Sequence, residues 1–276
     1  MNRTLPPPDI EPAPEVMCLS HLWAGYGQQP VLEDINLSVR ELDFIGLIGP
    51  NGSGKTTLFR VMLGLLPPLR GSVTILGQPV QQGRRYVGYV PQHVEFDEDF
   101  PIRVEDVVLS GRLGQRQRRG WRRSYGEEDH RVVTTALEAV ELMDQRHRRL
   151  GELSGGQRKR AYIARALATD PKILLLDEPL AGVDSHIGTH LYELLQQLNQ
   201  RLTILMISHD IGAIATCVKT VGCLNRRLYY HNERQITPEM LEIVYQCPVD
   251  LIAHGVPHRV FPQHLLEAIT LPQRQP

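Results

Sequence analysis

The chain has 276 residues, 42% hydrophobic and 22% charged, the balance of a globular protein able to bury a substantial core. A formal net charge of -1 argues against a general nucleic-acid binder, and no apolar run approaches the roughly 20 residues of a membrane span. Four cysteines (Cys18, Cys217, Cys223 and Cys247) form no CxxC pair and read as reduced cytosolic thiols.

Residues 1–16 carry Pro6, Pro7, Pro8, Pro12 and Pro14, little to bury and no signal-peptide core, so a disordered leader is expected. Strands are predicted over 17–21 and 31–40, the second from the alternation of Ile35, Leu37 and Val39. Between them, Tyr26 on a Gly25-Tyr26-Gly27 turn is either a nucleobase-stacking aromatic or an edge-packing residue.

The apolar run 44–48 predicts a buried parallel strand and leads directly into Gly49-Pro50-Asn51-Gly52-Ser53-Gly54-Lys55-Thr56. This satisfies G-x-x-x-x-G-K-[ST], and Leu58, Val61, Met62 and Leu65 recur behind it at helical spacing until Pro67-Pro68. In such a loop the glycines let backbone N–H groups converge on phosphate oxygens. Lys55 reaches the β- and γ-phosphates, and Thr56 offers a hydroxyl to Mg²⁺, with Thr57 beside it.

Further strands are expected over 72–76 and 85–90, the latter ending at Pro91-Gln92. Gln92 is suited to coordinating Mg²⁺ or orienting a water, or is simply a loop residue. Residues 93–152 read as an inserted helical subdomain, with one helix over 104–109 and another carrying Val133, Ala136, Leu137 and Val140. Between these helices the run 112–123 is basic and without a carboxylate. It is read as a solvated loop, or as a contact for an acidic partner or anionic lipid.

Ser154-Gly155-Gly156-Gln157 precedes a helix rich in alanine (Ala161, Ala164, Ala166) and fits a capping box. A bare helix N-terminus of this kind suits phosphate. Two phosphate-grasping elements in one chain suggest a nucleotide gripped from both sides. The apolar strand 173–176 then ends in Asp177-Glu178-Pro179. Asp177 suits Mg²⁺ at the end of a buried strand, and Glu178 suits the base that polarises attacking water. A third buried strand, 203–207, ends in Ser208-His209-Asp210, where His209 can hydrogen-bond a γ-phosphate and hold Glu178. Two strands within 220–232 are expected to finish the sheet, and Thr237-Pro238 to open a short helix. In the tail, Cys247, His254, His258 and His264 suggest either a regulatory metal site or packing and surface residues, and their irregular spacing favours the second.

In this order the motifs resemble the nucleotide-binding subunit of ATP-binding-cassette (ABC) transporters over about residues 17–230, leaving 231–276 as an accessory tail. Tyr26 matches the base-stacking aromatic, Gly49 to Thr56 the Walker A loop, and Gln92 the Q-loop. Leu153 to Gln157 match the LSGGQ signature, Ile173 to Glu178 Walker B with its catalytic glutamate, Asp184 the D-loop, and His209 the switch histidine. The resemblance implies an α/β P-loop NTPase (RecA-like) core with an antiparallel β subdomain and an inserted α-helical subdomain. It also implies ATP and Mg²⁺ as ligands, and a head-to-tail dimer with each ATP between one Walker A and the other LSGGQ. Many members have serine and leucine before the D-loop aspartate; here Leu180-Ala181-Gly182-Val183 precede Asp184.

Within the family, Asp99-Phe100-Pro101-Ile102, the stretch from Glu178 to Asp184 and Val249-Asp250-Leu251-Ile252-Ala253-His254-Gly255 resemble the manganese, zinc or iron(II) importer branch. That branch implies two multi-span permease subunits, an extracytoplasmic metal-binding protein, no nucleic acid, and a peripheral place on the cytoplasmic face of the inner membrane. The siderophore branch fits less well, since Gly111-Arg112 lacks the Pro-His that tends to follow. A soluble cassette ATPase of cluster assembly is the alternative from another class.

Overall fold

Three five-residue strands, β3 (Phe44–Ile48), β7 (Ile173–Asp177) and β8 (Thr203–Ile207), are buried along their whole length. Strands this apolar need cover on both faces, which a parallel sheet between two layers supplies. The computed structural model describes residues 13–94, 97–114, 124–181, 185–209, 214, 217–230, 250–254 and 256–260.

In chain order the elements before the first phosphate loop are β1 (Glu15–Tyr26), β2 (Gln29–Arg40) and β3. Helix α1 (Lys55–Met62), β4 (Arg70–Ile75), β5 (Gln78–Pro79), α2 (Val80–Gly83) and β6 (Val87–Val90) follow. Then come α3 (Val104–Ser110), α4 (Glu127–Ala139), α5 (Gly155–Leu167), β7, α6 (Ser185–Asn199) and β8. β9 (Thr220–Asn225), β10 (Arg227–Tyr230), β11 (Asp250–His254) and β12 (Val256–Val260) complete the set. The central sheet has the order β10-β9-β3-β8-β7-β6 and is parallel apart from β10. A separate antiparallel sheet has the order β2-β1-β4-β5, and β11 pairs with β12 alone.

The period-2 alternation of strand side chains divides the core in two. Ile45, Leu47, Leu175, Leu205 and Ile207 face the layer built from α1 and the antiparallel sheet, where they meet Leu58, Phe59, Leu22 and Ile35. Phe44, Ile48, Leu174, Leu176, Ile204 and Met206 face the helices, where they meet Val108, Leu137, Ile163 and Leu195. Gly111, the C-cap of α3, lets that helix pack close to α5: a Cβ there would lie 2.3 Å from the carbonyl oxygen of Arg165. Helix α5 packs against both α3 and α4.

Sequence expectations are adjusted at several points. β1 begins at Glu15, inside the expected leader, because Val16 is already buried against the core. β6 starts at Val87 because residues 84–86 form a 3-10 turn. Arg112, grouped with the basic run, is not solvated. Its Nε donates to Asp129 Oδ1 at 3.0 Å and its Nη1 to the Ala168 carbonyl at 3.0 Å, with the two side chains only 6% and 9% exposed. This buried pair ties the end of α3 to the starts of α4 and of the segment after α5. The rest of the basic run from 115 to 123, the helix expected at 237–238, Cys247, His264 and Asp184 lie outside the described residues.

Candidate functional site

Strand register decides which loops share an edge. Leu47 of β3 pairs with Ile207 of β8, Ile207 with Asp177 of β7, and Leu176 of β7 with Val90 of β6. The chain therefore leaves the sheet at one carboxyl edge four times, into Gly49, Gln92, Glu178 and His209. A ligand crevice forms in this position in an open α/β sheet.

Backbone geometry in the first loop requires glycine. Gly54, the N-cap of α1, has φ +101°, and a Cβ there would lie 2.6 Å from Leu32 Cδ2. Gly49 lies so close to β9 that a Cβ would be 2.1 Å from the Leu224 carbonyl oxygen. Pro50, Asn51 and Gly52 complete the turn, with Gly52 at φ +78°. Lys55 Nζ donates to the carbonyls of Gly49 (2.8 Å) and Pro50 (2.9 Å). Burial pushes this ammonium below the usual lysine range, while Glu178 and Asp177 oppose the shift. Ser53 Oγ is buried without a hydrogen-bond partner among the described residues. An orphaned hydroxyl and an ammonium resting on two loop carbonyls both fit a phosphate ligand.

Asp177 is 3% exposed. Its Oδ2 accepts from Thr56 Oγ1 at 3.4 Å and from the Tyr89 hydroxyl at 3.5 Å. Burial raises its carboxyl above the usual range and the Glu178 charge adds to this, against the two hydrogen bonds and Lys55. Tyr89 itself is pushed up to about 12 by burial and by Asp177. A buried carboxylate beside a threonine hydroxyl is a fitting donor set for a hard cation such as Mg²⁺. Glu178 has φ +46°, an unusual backbone for a non-glycine residue, and its N–H donates to the Ile207 carbonyl at 3.0 Å. Gln92 Nε2 donates to Glu178 Oε2 at 2.7 Å, and His209 Nε2 is paired with Glu178 Oε1. Both carboxylate oxygens are thereby oriented.

Tyr26 sits at the end of β1, 49% exposed. Its hydroxyl accepts from Arg60 Nη1 at 2.7 Å; a hydrogen bond with Thr57, and then Arg60, hold its phenol below the usual range. At the start of α5 the capping box forms as expected: Ser154 Oγ accepts from the Gln157 N–H (3.3 Å), and Gln157 Oε1 from the Ser154 N–H (3.1 Å). Ser154 and Gly155 are exposed, Gly156 is buried, and no described hydrogen bond joins residues 154–157 to the first loop.

Sequence reasoning missed three neighbours: Tyr89 on Asp177, Arg60 on Tyr26, and Lys159, whose Nζ donates to the Gln92 carbonyl at 2.7 Å. Lys159 could have been noticed. It lies three residues from Gly156 and from Tyr162, both buried, and so falls on the inner face of α5.

A family model described as ABC transporter matches residues 32–181. A probable metal transport system ATP-binding protein of Chlamydia trachomatis is 43% identical over 77% of this chain and 89% of its own length. This chain belongs to the ABC transporter family. The zinc-uptake ATP-binding protein ZnuC of Bacillus subtilis is 40% identical over 76% of the ABC chain and 91% of its own length. MntB, a manganese transport ATP-binding protein of Listeria innocua, is 37% identical over 87% and 100%. Among solved structures, a metal-chelate-type ABC transporter in an inward-facing conformation matches with a TM-score of 0.78 at 26% identity, covering 91% of this chain and 99% of that one. A nucleotide-free cassette matches with a TM-score of 0.71 at 25% identity, over 85% and 96%.

The ABC chain is thus an ATPase, a nucleotide-binding subunit of a membrane transporter with the P-loop NTPase fold. Among the described residues no helix is long and apolar enough to cross a membrane.

Proposed function

We propose that this chain is the ATP-hydrolysing subunit of an importer for a divalent transition metal, manganese or zinc above all. The observation that carries the enzymatic part is the oriented Glu178 carboxylate, held by Gln92 and His209 beside Asp177 and Lys55. The names of the zinc and manganese transport relatives support the cargo.

In this reading Lys55 exchanges the Gly49 and Pro50 carbonyls for phosphate oxygens, and Ser53 and the loop N–H groups hold the same phosphates. Tyr26, braced by Arg60 and Thr57, stacks on the base. Thr56 and Asp177 would hold Mg²⁺, which when bound neutralises charge on the phosphate oxygens. Water attacks the γ-phosphorus, the bond to the β–γ bridging oxygen breaks, and the water proton passes to the Glu178 carboxylate. Gln92 and His209 keep that carboxylate aimed. Ser154 and Gly155, exposed at the capped start of α5, serve with Gly156 and Gln157 the ATP of a second copy of this chain, and the resemblance of Asp184 to the D-loop gives it a part in that dimer.

Two permease subunits dock on this dimer at the cytoplasmic face of the inner membrane, fed by an extracytoplasmic metal-binding protein. A cleft of about 860 Å³, lined by residues that include Leu65, Gln81, Arg85, Gly111 and Gly114, offers the permease a seat beside the segments that follow α1 and α3. Leu65 on the wall of that cleft is 66% exposed and gives it an apolar contact.

Deleting the gene should lower cellular manganese, zinc or iron and slow growth when that metal is scarce. Unchanged content of all three under limitation, with another nutrient lost instead, would remove the metal assignment and leave the ATPase standing.

A further inference from the structure

The Q-loop has two attachments. Its side chain reaches forward to Glu178, and its main chain is held from behind by α5. Lys159 Nζ donates to the Gln92 carbonyl at 2.7 Å, and this ammonium is half-buried between the two segments. Pro91, Gln92, His93 and Val94 border one side of the cavity there, and Gly155, Arg158, Lys159 and Tyr162 the other. Arg158 makes a more exposed tie, Nη1 to Glu98 Oε1 at 2.6 Å. Lys159 follows the signature glycines by one helical turn, so it moves with them as part of one rigid helix.

A continuous path therefore runs from α5 through Lys159 to the Gln92 main chain, from the Gln92 side chain to Glu178 Oε2, and from Oε1 to His209. Without the lysine the Gln92 carbonyl would lose a charge-assisted donor in a poorly solvated place, where such bonds are strongest. Asp177 and Glu178 act on the same ammonium: burial lowers its proton affinity, and the two carboxylates, Glu178 the more, only partly oppose this. Lys159 thus feels the carboxylates of its own subunit while belonging to the helix that would face the partner's nucleotide.

We propose that Lys159 is a positioning residue that fastens the signature helix to the Q-loop, so that a displacement of α5 is carried through the Gln92 main chain to its contact with Glu178. This rests on the reading of Glu178 and the signature given above. Loss of the tie leaves nucleotide binding to the first loop intact, because Lys159 does not touch Gly49 to Thr57. It loosens the aim of Gln92 on Glu178 and uncouples the helix that must close on the partner.

The test compares Lys159→Met and Lys159→Arg in the full chain, with Glu178→Gln as a control. Lys159→Met should lower kcat about tenfold with KM for ATP within about twofold, while Lys159→Arg, which keeps a cationic donor, should restore most of the rate. ATP-driven dimerisation in a Glu178→Gln background should shift to higher ATP when Lys159→Met is added. Wild-type kcat in Lys159→Met, or equal losses in the Met and Arg variants, would overturn the proposal. If Lys159→Met does not fold, Lys159→Gln, a neutral donor, takes its place with an intermediate rate expected and wild-type kcat again overturning it. Turnover persisting in Glu178→Gln itself would instead overturn the site reading, and the proposal with it.

Discussion

The amide of Gln92 donates to Glu178 Oε2 at 2.7 Å, bridging residues 86 positions apart in the chain. Gln92 ends the path from β6 and Glu178 the path from β7, and the register of those two strands makes the bond possible. Replacing Glu178 by Gln keeps a shape that the Q-loop can still meet but removes the proton acceptor. Turnover should fall by about 10²–10⁴ while ATP binding persists. Steady-state hydrolysis and nucleotide titration of the variant check this, and light scattering should show it trapped as an ATP-bound dimer.

Lys55 holds two loop carbonyls and, in the proposed site, the phosphates. Lys55→Ala should weaken ATP binding itself, which separates it from Glu178→Gln. Equilibrium binding of a fluorescent ATP analogue to both variants makes the distinction.

Asp177 is expected to be a functional group held at a cost in stability. Burial and Glu178 raise its folded pKa above 3.8, so the native state favours the protonated form. Its contribution to stability is complete below the unfolded pKa and is lost as pH rises through the raised folded value. At neutral pH the ionised carboxylate opposes folding, and Asp177→Asn should stabilise the chain by on the order of 1 kcal/mol while abolishing Mg²⁺-dependent hydrolysis. Thermal melts of the two proteins should converge as the pH falls from neutral towards the unfolded-state value of the carboxyl.

Tyr26 offers a ring and a hydroxyl with different duties. Tyr26→Ala should lose base stacking, about 1–3 kcal/mol of ATP affinity. Tyr26→Phe keeps the ring and gives up only the bonds to Arg60 and Thr57, so its KM should change much less. If the two variants were equally impaired, the ring would not be the binding element.

Arg112 and Asp129 form a buried pair, and removing one partner strands the other's charge. Arg112→Ala should cost about 3–5 kcal/mol in denaturant unfolding, whereas an apolar pair such as Arg112→Met with Asp129→Leu should recover much of that loss. ATP binding should survive wherever the chain folds, because neither residue approaches the first loop.

Much of this protein was legible in one dimension because its chemistry sits where strands end. A short apolar run followed by glycines and Lys55, another by Asp177-Glu178, and a third by His209 each announce a strand and its terminal polar group, and the local periods of 2 and 3.6 suffice to read them. The Ser154–Gln157 capping box was likewise local, a contact over three residues. What local pattern cannot contain is the register between strands remote in sequence. That pairing sets Leu47 beside Ile207 and Val90 beside Leu176, and so brings Gln92, Glu178 and His209 to one edge. Nor could composition separate Arg112 from the basic run that follows it, since only the packing of α3, α4 and α5 supplies Asp129 and the Ala168 carbonyl as partners. Local pattern assigned Lys159 no role, and its meaning came from the Gln92 carbonyl 67 positions away. The sequence by itself determined the strands, the loops and the reactive groups, through interactions a few residues long. The tertiary structure alone decided which of those groups meet, because burial and hydrogen bonding between distant segments depend on how layers pack rather than on what adjoins along the chain.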